Sequence, residues 1–169
     1  MMPGNPELSM TVLMTPEMAN FAGNVHGGTL LKYMDQVAYA CASRYAGTYV
    51  VTVSVDQVIF REPVKVGELV TFLASVNYTG KTSMEVGIKV VTENVYNRSM
   101  RHTNSSFFTM VALDENQQPT QVPPLTLDTY DRKRRYHQAK LRRQLRAELK
   151  KTYQDIHETQ VAEGLESQG

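Results

Sequence analysis

The sequence predicts an α+β fold in which one long helix packs against an antiparallel sheet of five strands. Apolar residues recur at helical spacing between positions 30 and 45, one β-rich run precedes them, and four more follow between positions 49 and 113. A chain of 169 residues with 41% apolar composition is about the size of one globular domain. One helix cannot cover both faces of such a sheet, so we expect the chain to form oligomers with copies of itself.

The N-terminal half supplies one strand, a turn and the helix. Leu8 to Met14 alternates loosely between apolar and polar residues, which predicts a strand that ends at Thr15-Pro16 because proline lacks a backbone donor. A Gly-rich turn follows. From Thr29 onward, apolar residues at helical spacing predict a helix of about four to five turns; these residues are Leu30, Met34, Val37, Ala38, Cys41 and Tyr45.

Four runs rich in Val, Thr, Ile and aromatic residues predict a meander of strands after the helix. They are Tyr49 to Phe60, Glu68 to Tyr78, Ser83 to Val95 and Arg101 to Leu113. Turn residues separate them, at Pro63 and Gly67, at Gly80-Lys81 and at Asn97-Arg98. In the first run, alternation predicts one face with Val51, Val53 and Val55 and an opposite face with Thr52, Ser54 and Asp56.

A different composition begins near Gln117, where polar residues and prolines up to Pro124 indicate a linker. After Asp128 there is no proline and no glycine until Gly164, which predicts a second helix. Positions 132–151 hold ten Lys or Arg against one acid, Glu148, whereas the net charge of the whole chain is +1. We therefore divide the chain into a domain at 1–124 and a linker with a basic helix at 125–169. That helix fits three roles: a solvated surface, a docking arm for neighbouring subunits, or a contact for polyanions.

The turn before the first helix is a candidate for chemistry. Gly23, Gly27 and Gly28 let a ligand approach the backbone closely, and the amides at the helix start can polarise a carbonyl oxygen. Asp35 follows Gly28 by seven residues, which places it about 10 Å farther along the axis at roughly 1.5 Å per residue. A base must lie within about 3 Å of its target. If both groups are catalytic, Asp35 serves the helix start of a second subunit.

These residues carry a resemblance to a known family. The segment NFAGNVHGGTLLKYMD, from Asn20 to Asp35, resembles the signature of the hot-dog-fold acyl-CoA thioesterases, in which Asn-x-x-Gly and a Gly-Gly turn precede an Asp on the central helix. The similarity continues through VVTVSVDQVIFREPVKVGELV, GKTS and SSFFTMVALDENQQPTQVP, and it covers Leu8 to about Pro124. The nearest subgroup is the cytosolic acyl-CoA hydrolases of bacteria and their mammalian tandem-domain relatives. We find no internal repeat in this chain.

The resemblance implies hydrolysis of an acyl-CoA to a free fatty acid and coenzyme A. It assigns Asp35 as general base or nucleophile, Asn20 as the residue that orients water or thioester, and the Gly28 amide as the group that polarises the carbonyl. It also implies that Asp35 and Asn20 of one site come from different subunits, with a dimer as the minimal unit and a trimer of dimers as the expected assembly. Coenzyme A enters as part of the substrate, and no other cofactor or metal is expected.

Further residues are candidates for substrate binding. Gly23, Gly27 and His26 belong to the turn, although close relatives usually carry a large apolar residue where this chain has His26. Thr52 lies on the polar face of the predicted long strand, where its hydroxyl could hold a water or the thioester, and Arg61, directly after that strand, is a candidate phosphate contact. The turn formed by Gly80, Lys81, Thr82 and Ser83 resembles the family turn that contacts coenzyme A, and its amides, hydroxyls and cation suit phosphate.

Composition restricts the remaining classes. The chain lacks an apolar run of about eighteen residues and a secretory signal, and Cys41 is its only cysteine, so we expect a cytoplasmic protein without disulfides or a metal site. We expect no membrane or nucleic-acid partner. The alternative function is a non-catalytic domain that senses acyl-CoA and uses the basic helix to bind polyanions. A hydratase or dehydratase of acyl thioesters would need a His with an acidic partner in a differently ordered motif.

Overall fold

The computed structural model describes residues 3–166, which contain six strands and two long helices. The strands are β1 (Glu7–Leu13), β2 (Tyr49–Val55), β3 (Ile59–Phe60), β4 (Leu69–Thr79), β5 (Ser83–Glu93) and β6 (Met100–Leu113). The helices are α1 (Gly27–Ala46) and α2 (Tyr130–Glu166), and a short 3-10 helix spans Pro16–Met18. The chain separates into two compact units, of which the first ends at Thr126 and the second begins at Leu127.

All strand pairs in the sheet are antiparallel. The order is β1-β4-β5-β6-β2, and β3 also pairs with β6. The predicted five strands therefore form the main path of the sheet, and β3 is an addition to them. Strand β2 lies at one end of this path, so its outer edge carries backbone groups that no other strand among residues 3–166 pairs.

Helix α1 packs on one face of the sheet. Its buried side chains, which are Leu30, Met34, Val37, Ala38, Cys41, Ala42, Tyr45 and Ala46, form one stripe and join strand residues such as Phe72, Phe108 and Met110 in the core. The helix begins two residues earlier than its apolar pattern, because the His26 side chain caps it. It ends at Gly47, whose φ of 69° is the left-handed conformation that glycine adopts most easily.

The prediction of one long strand from Tyr49 to Phe60 is wrong. The strand stops at Val55 and resumes for two residues at Ile59, with both pieces on β6. A β-bulge between Thr52 and Ser54 also breaks the alternation that we predicted. Thr52 lies opposite the core residue Met110, whereas Ser54 lies opposite Thr109, so these two residues face opposite sides of the sheet. β-Branched residues favour extended backbone but do not report where an extra residue interrupts pairing.

Helix α2 spans 37 residues and begins with ion pairs between neighbouring turns. Arg132 Nη1 lies 2.7 Å from Asp128 Oδ1, and Arg134 Nη2 lies 3.2 Å from Asp131 Oδ1. Farther along the helix, Leu141, Leu145, Leu149, Tyr153 and Ile156 are exposed. Between residues 3 and 166 we find no helix with both the length and the apolar character needed to span a bilayer.

Candidate active site

A cleft of about 300 Å³ opens where the turn before α1 meets the segment that follows β3. It is lined by Asn20 and Asn24 of the turn, Gly27 at the start of α1, Phe60 at the end of β3, and Arg61, which follows β3. Its other lining residues are Val25, Leu30, Glu62, Pro63 and Val64. The structure thus brings together three of the predicted site residues, Asn20, Gly27 and Arg61.

Asn20 organises the turn with one end of its side chain. Its Oδ1 accepts hydrogen bonds from the backbone N–H of Ala22 at 2.9 Å and of Asn24 at 3.2 Å. Gly23 completes the turn with a φ of 77°, which favours glycine at that position. Because the oxygen is engaged, the Nδ2 amide is the part of Asn20 that can donate to a ligand in the cleft.

The helix start presents two glycine amides, and one of them already has a partner. The Gly28 N–H donates to His26 Nδ1 over 3.0 Å, so His26 acts as the N-cap of α1. As the first residue of the helix, Gly27 has an amide without an intrahelical acceptor. The Phe60 ring lies against the helix start, because a Cβ at Gly27 would be in ordinary van der Waals contact with it at 3.4 Å.

Asp35 lies elsewhere in the chain, beside the edge strand. Its Oδ1 accepts a hydrogen bond of 2.6 Å from Thr52 Oγ1 on β2. Met110 Sδ is 3.5 Å from the same hydroxyl, but the one hydroxyl proton goes to the closer and charged acceptor. Asp35 and Thr52 therefore form a pair, and neither of them lines the cleft that holds Asn20.

The turn from Gly80 to Ser83 joins β4 to β5 next to the row of paired residues that contains Thr52, the hydrogen-bond partner of Asp35. Gly80 N–H donates to Ser83 O over 2.7 Å, and the carbonyls of Lys81 and Thr82 accept from Val122 and Ala112. Met84, the next residue, pairs with Met110, which in turn pairs with Thr52. At about 4.8 Å per strand, the end of this turn is about 10 Å from Thr52. The side chain of Lys81 is exposed.

A charged cluster behind the cleft was missed in the sequence. Arg101 on β6 donates from Nη1 and Nη2 to the two carboxylate oxygens of Glu68, at 2.8 and 2.7 Å. Nη2 also donates to Pro63 O at 3.0 Å, and Nε lies 3.0 Å from Glu62 Oε2. The partners are 33 or more residues apart in sequence, so no local motif reveals them.

The cluster shifts the ionisation of its members. Burial by itself would raise the pKa of Glu68, but the hydrogen bonds from Arg101 and from the Lys65 backbone, together with the nearby positive charges, hold it below its ordinary value. In turn, the hydrogen bond to Glu68 raises the pKa of Arg101. Both groups are therefore charged at neutral pH, and the buried Glu68 carboxylate is compensated by a bidentate partner.

Two further observations limit the chemistry. Burial raises the pKa of the Cys41 thiol to about 12, so this cysteine is not a nucleophile at neutral pH. In the part of the chain that the structure describes, no three His, Cys, Asp or Glu side chains come together as they would around a metal ion. Polar groups are present at the cleft and at the sheet edge: the amides of Asn20 and Asn24, backbone N–H groups, the Arg61 guanidinium, the Thr52 hydroxyl, and the carboxylates of Glu62 and Asp35. These groups suit the polarisation and hydrolysis of a carbonyl compound.

Comparison with known proteins agrees with this chemistry. The family model of the thioesterase superfamily matches residues 22–97, which include α1 and every residue that lines the cleft except Asn20. The protein VdlD of Helicobacter pylori is 49% identical over 140 residues, which cover 83% of this chain and 80% of that protein. The family model indicates that the protein is a thioesterase.

Solved structures narrow the class further. An apo-hexameric acyl-CoA thioesterase is 35% identical with a TM-score of 0.82, over 85% of this chain and 92% of that one. An acyl-CoA hydrolase of Staphylococcus aureus, solved with butyryl coenzyme A and coenzyme A, is 31% identical with a TM-score of 0.78, over 90% and 95% of the two chains. The chain belongs to the hot-dog-fold acyl-CoA thioesterases.

Proposed function

We propose that this chain hydrolyses acyl-CoA thioesters to a free carboxylic acid and coenzyme A at a site that two copies of the chain build together. Membership of the acyl-CoA thioesterase family establishes the reaction class, and the hexameric state of a related acyl-CoA thioesterase supports an oligomer of this chain. The shared site is our proposal. It rests on one observation: Asp35 pairs with Thr52 at the sheet edge, while Asn20 lies in a cleft that Asp35 does not line.

The surroundings of Asp35 support a shared site. Leu31 and Tyr39 stand one turn before and after Asp35 on α1, and the Tyr39 ring lies 6.0 Å from that of Tyr49 on β2. Together with Val53 and Val55 they form what we call the edge face: Leu31, Tyr39, Tyr49, Val53 and Val55, all exposed in the single chain, with Val53 at 61%. A carboxylate on α1 with exposed apolar neighbours, beside a strand whose outer edge pairs with no other strand among residues 3–166, is expected at a subunit contact.

Pairing of two edge faces about a twofold axis would bring the Asp35–Thr52 pair of one chain toward the cleft of the other. In the reaction, the Nδ2 amide of Asn20 would hold the thioester or the water, and the helix-start amides would stabilise the oxyanion. The Gly27 amide can do so directly, whereas the Gly28 amide must exchange His26 Nδ1 for the substrate oxygen. His26 therefore controls access to one of the two donors.

Asp35 of the partner would complete the reaction in one of two ways. As a general base it takes a proton from water, and the resulting hydroxide attacks the carbonyl carbon. As a nucleophile it attacks that carbon itself and forms an anhydride that water then opens. In both cases the C–S bond breaks and the coenzyme A thiolate leaves. Hydrolysis in water labelled with ¹⁸O identifies the anhydride route when water opens the anhydride at the Asp35 carbonyl, because only that step places the label in the Asp35 carboxyl during a single turnover.

A relative offers independent support for the three polar residues. The S. aureus hydrolase has been solved with an aspartate, an asparagine and a threonine each replaced by alanine. Those three positions have the same spacing along its chain as Asp35, Asn20 and Thr52 have along this one. We therefore assign Asp35 and Asn20 as catalytic residues and Thr52 as the residue that orients Asp35.

Substrate and assembly follow from the same proposal. We place the coenzyme A nucleotide near Gly80 to Ser83, with Lys81 as a phosphate contact, and Arg61 at the mouth of the cleft. We propose a trimer of dimers, a cytoplasmic location and no cofactor besides the coenzyme A of the substrate. We assign residues 1–124 to the catalytic domain and 125–169 to the linker and basic helix.

Mixing inactive subunits tests the shared site. Asn20→Ala and Asp35→Ala are prepared separately, mixed under conditions of proven subunit exchange, and assayed for thiol release from acyl-CoAs of graded chain length with a thiol-reactive dye. Because the Cys41 thiol is buried and has a raised pKa, the protein contributes little background. A mixed dimer has one site with both residues intact, so activity should return to a substantial fraction of wild type.

The control is Asn20→Ala mixed with an Asn20→Ala/Asp35→Ala double variant, which cannot build an intact site in any arrangement. Activity in the first mixture and none in the control supports a site shared between chains. Exchange without recovered activity would rule out the shared site, and tight acyl-CoA binding without turnover by the wild type would favour a sensing domain instead.

A further inference from the structure

Arg101 contacts the wall of the cleft opposite Asn20 on the side that faces away from the cleft. The segment from Arg61 to Glu68 connects β3 to β4, and it supplies Glu62, Pro63 and Val64 to the cleft. Arg101 contacts this segment at three residues: Glu62, Pro63 and Glu68. Arg101 does not itself line the cleft, so any effect on the reaction acts through that wall.

The same segment is joined to the turn that carries Asn20. Val25 N–H donates to Val64 O over 2.7 Å, and Asn24 forms a β-bridge with Lys65. Glu68 closes the segment on itself, because its Oε2 also accepts from the Lys65 N–H at 2.8 Å. The segment forms one wall of the cleft, and the turn that carries Asn20 forms the other. A displacement of the segment would therefore move its own wall and, through the Val25–Val64 hydrogen bond, the turn as well.

We propose that Arg101 is a positioning residue for thioester hydrolysis, which sets the distance between the two walls of the cleft and thereby the placement of Asn20 and the Gly27 amide. This inference rests on the proposed role of the cleft. Arg101 makes four contacts to the segment, two to Glu68, one to Pro63 and one to Glu62. The guanidinium has the planar donor geometry to make them together, which a lysine ammonium lacks.

Neutralising the charge of Glu68 does not require all four contacts of Arg101. One bidentate pair would satisfy the carboxylate, and an apolar pair of similar volume is often as stable as a buried ion pair. The two additional contacts go to Glu62 and Pro63, both of which line the cleft. The geometry therefore couples the buried pair to the shape of the site.

The test separates positioning from stability. Arg101→Met alone leaves the Glu68 carboxylate buried without its cation and is expected to destabilise the fold. The double variant Arg101→Met/Glu68→Gln removes both charges, so it should fold and assemble as wild type does, while the contacts to Glu62 and Pro63 are lost. We expect kcat to fall about 10- to 100-fold, because a misplacement of about 1 Å costs this much, with a smaller change in KM. Arg101→Lys should not restore kcat, because it cannot make the same contacts.

Two controls make the outcome decisive. Lys89→Met removes an exposed cation from the neighbouring strand β5 and should leave kcat unchanged. The hydrogen-exchange rate of the Val25 amide measures how often its hydrogen bond to Val64 opens, and this measurement needs no assumption about catalysis. The rate should be faster in the double variant than in wild type.

A double variant with wild-type kcat and unchanged exchange at Val25 would overturn the proposal. Faster exchange with wild-type kcat would show that Arg101 fixes the wall but does not position the reaction, which also overturns it. If the wild type fails to hydrolyse acyl-CoA, the proposed function fails, and the exchange result still decides whether Arg101 fixes the wall.

Discussion

Replacing Thr52 with valine removes the hydroxyl that donates to Asp35 Oδ1 over 2.6 Å, while the branched shape of the side chain is kept. A hydrogen bond to a charged group contributes about 1.5–3 kcal/mol, and the lower value applies here because Thr52 is exposed. If the bond holds Asp35 in place during the reaction, a loss of about 1.5 kcal/mol corresponds to roughly a tenfold lower kcat. The same hydrogen bond also contributes to folding, so stability should fall by at most about 1.5 kcal/mol, and the loss is partly offset because valine is at least as favourable as threonine in a strand.

The assay is thiol release from a saturating acyl-CoA, with thermal unfolding as the companion measurement. Thr52→Ser is the matched control, because it keeps the hydroxyl and loses only a methyl group, and it should retain most of the wild-type kcat. Wild-type turnover by Thr52→Val would show that Asp35 is oriented by something else. An equal loss in both variants would show that the methyl group, and not the hydrogen bond, matters.

Three further predictions concern assembly and stability. Val53→Lys places a charge on the edge face, so the chain should sediment as a smaller species than wild type, and an unchanged oligomer would place the subunit contact elsewhere. Asn104→Leu removes a buried carboxamide whose two polar atoms have no hydrogen-bond partner among the residues that the structure describes. Stability should rise by about 1–3 kcal/mol, and a lower melting temperature would contradict this. Because the pKa of Glu68 is held below its ordinary value of 4.5 in the folded state, its stabilisation is complete above that pH and is lost as the pH falls toward the folded-state pKa. The double variant Arg101→Met/Glu68→Gln should therefore lose less stability than wild type as the pH falls. Denaturant titrations of both proteins at graded pH measure this difference.

Local sequence specified the main elements because their signals are short-range. The apolar stripe of α1 has the helical repeat, and Gly47 ends the helix in the conformation that glycine tolerates best. The hairpin turn at Gly80 joins β4 to β5 as its residue types predict. Membership of the family could be inferred in the same way, since the order of Asn20, the glycines and Asp35 is itself a local pattern.

Other features depended on contacts that local patterns do not encode. The apolar run from Tyr49 to Phe60 was compatible with one strand, but pairing with β6 splits it and introduces the bulge after Thr52. The sequence made His26 a candidate ligand contact, whereas in the structure its Nδ1 accepts a hydrogen bond from the Gly28 N–H and caps the helix. This hydrogen bond joins residues two positions apart, but its geometry depends on the backbone direction at the turn.

Periodicity and turn chemistry act over a few residues, so the α+β fold class, the central helix and the residue types of the site follow from the sequence, and the hot-dog fold follows from the family resemblance. Which of those residues meet depends on the tertiary structure. It placed Asn20 with Gly27 and Arg61 in one cleft, Asp35 with Thr52 on an exposed edge, and Arg101 behind the cleft against Glu68. Each of these neighbours is brought close by strand order and register, which depend on the packing of the whole sheet.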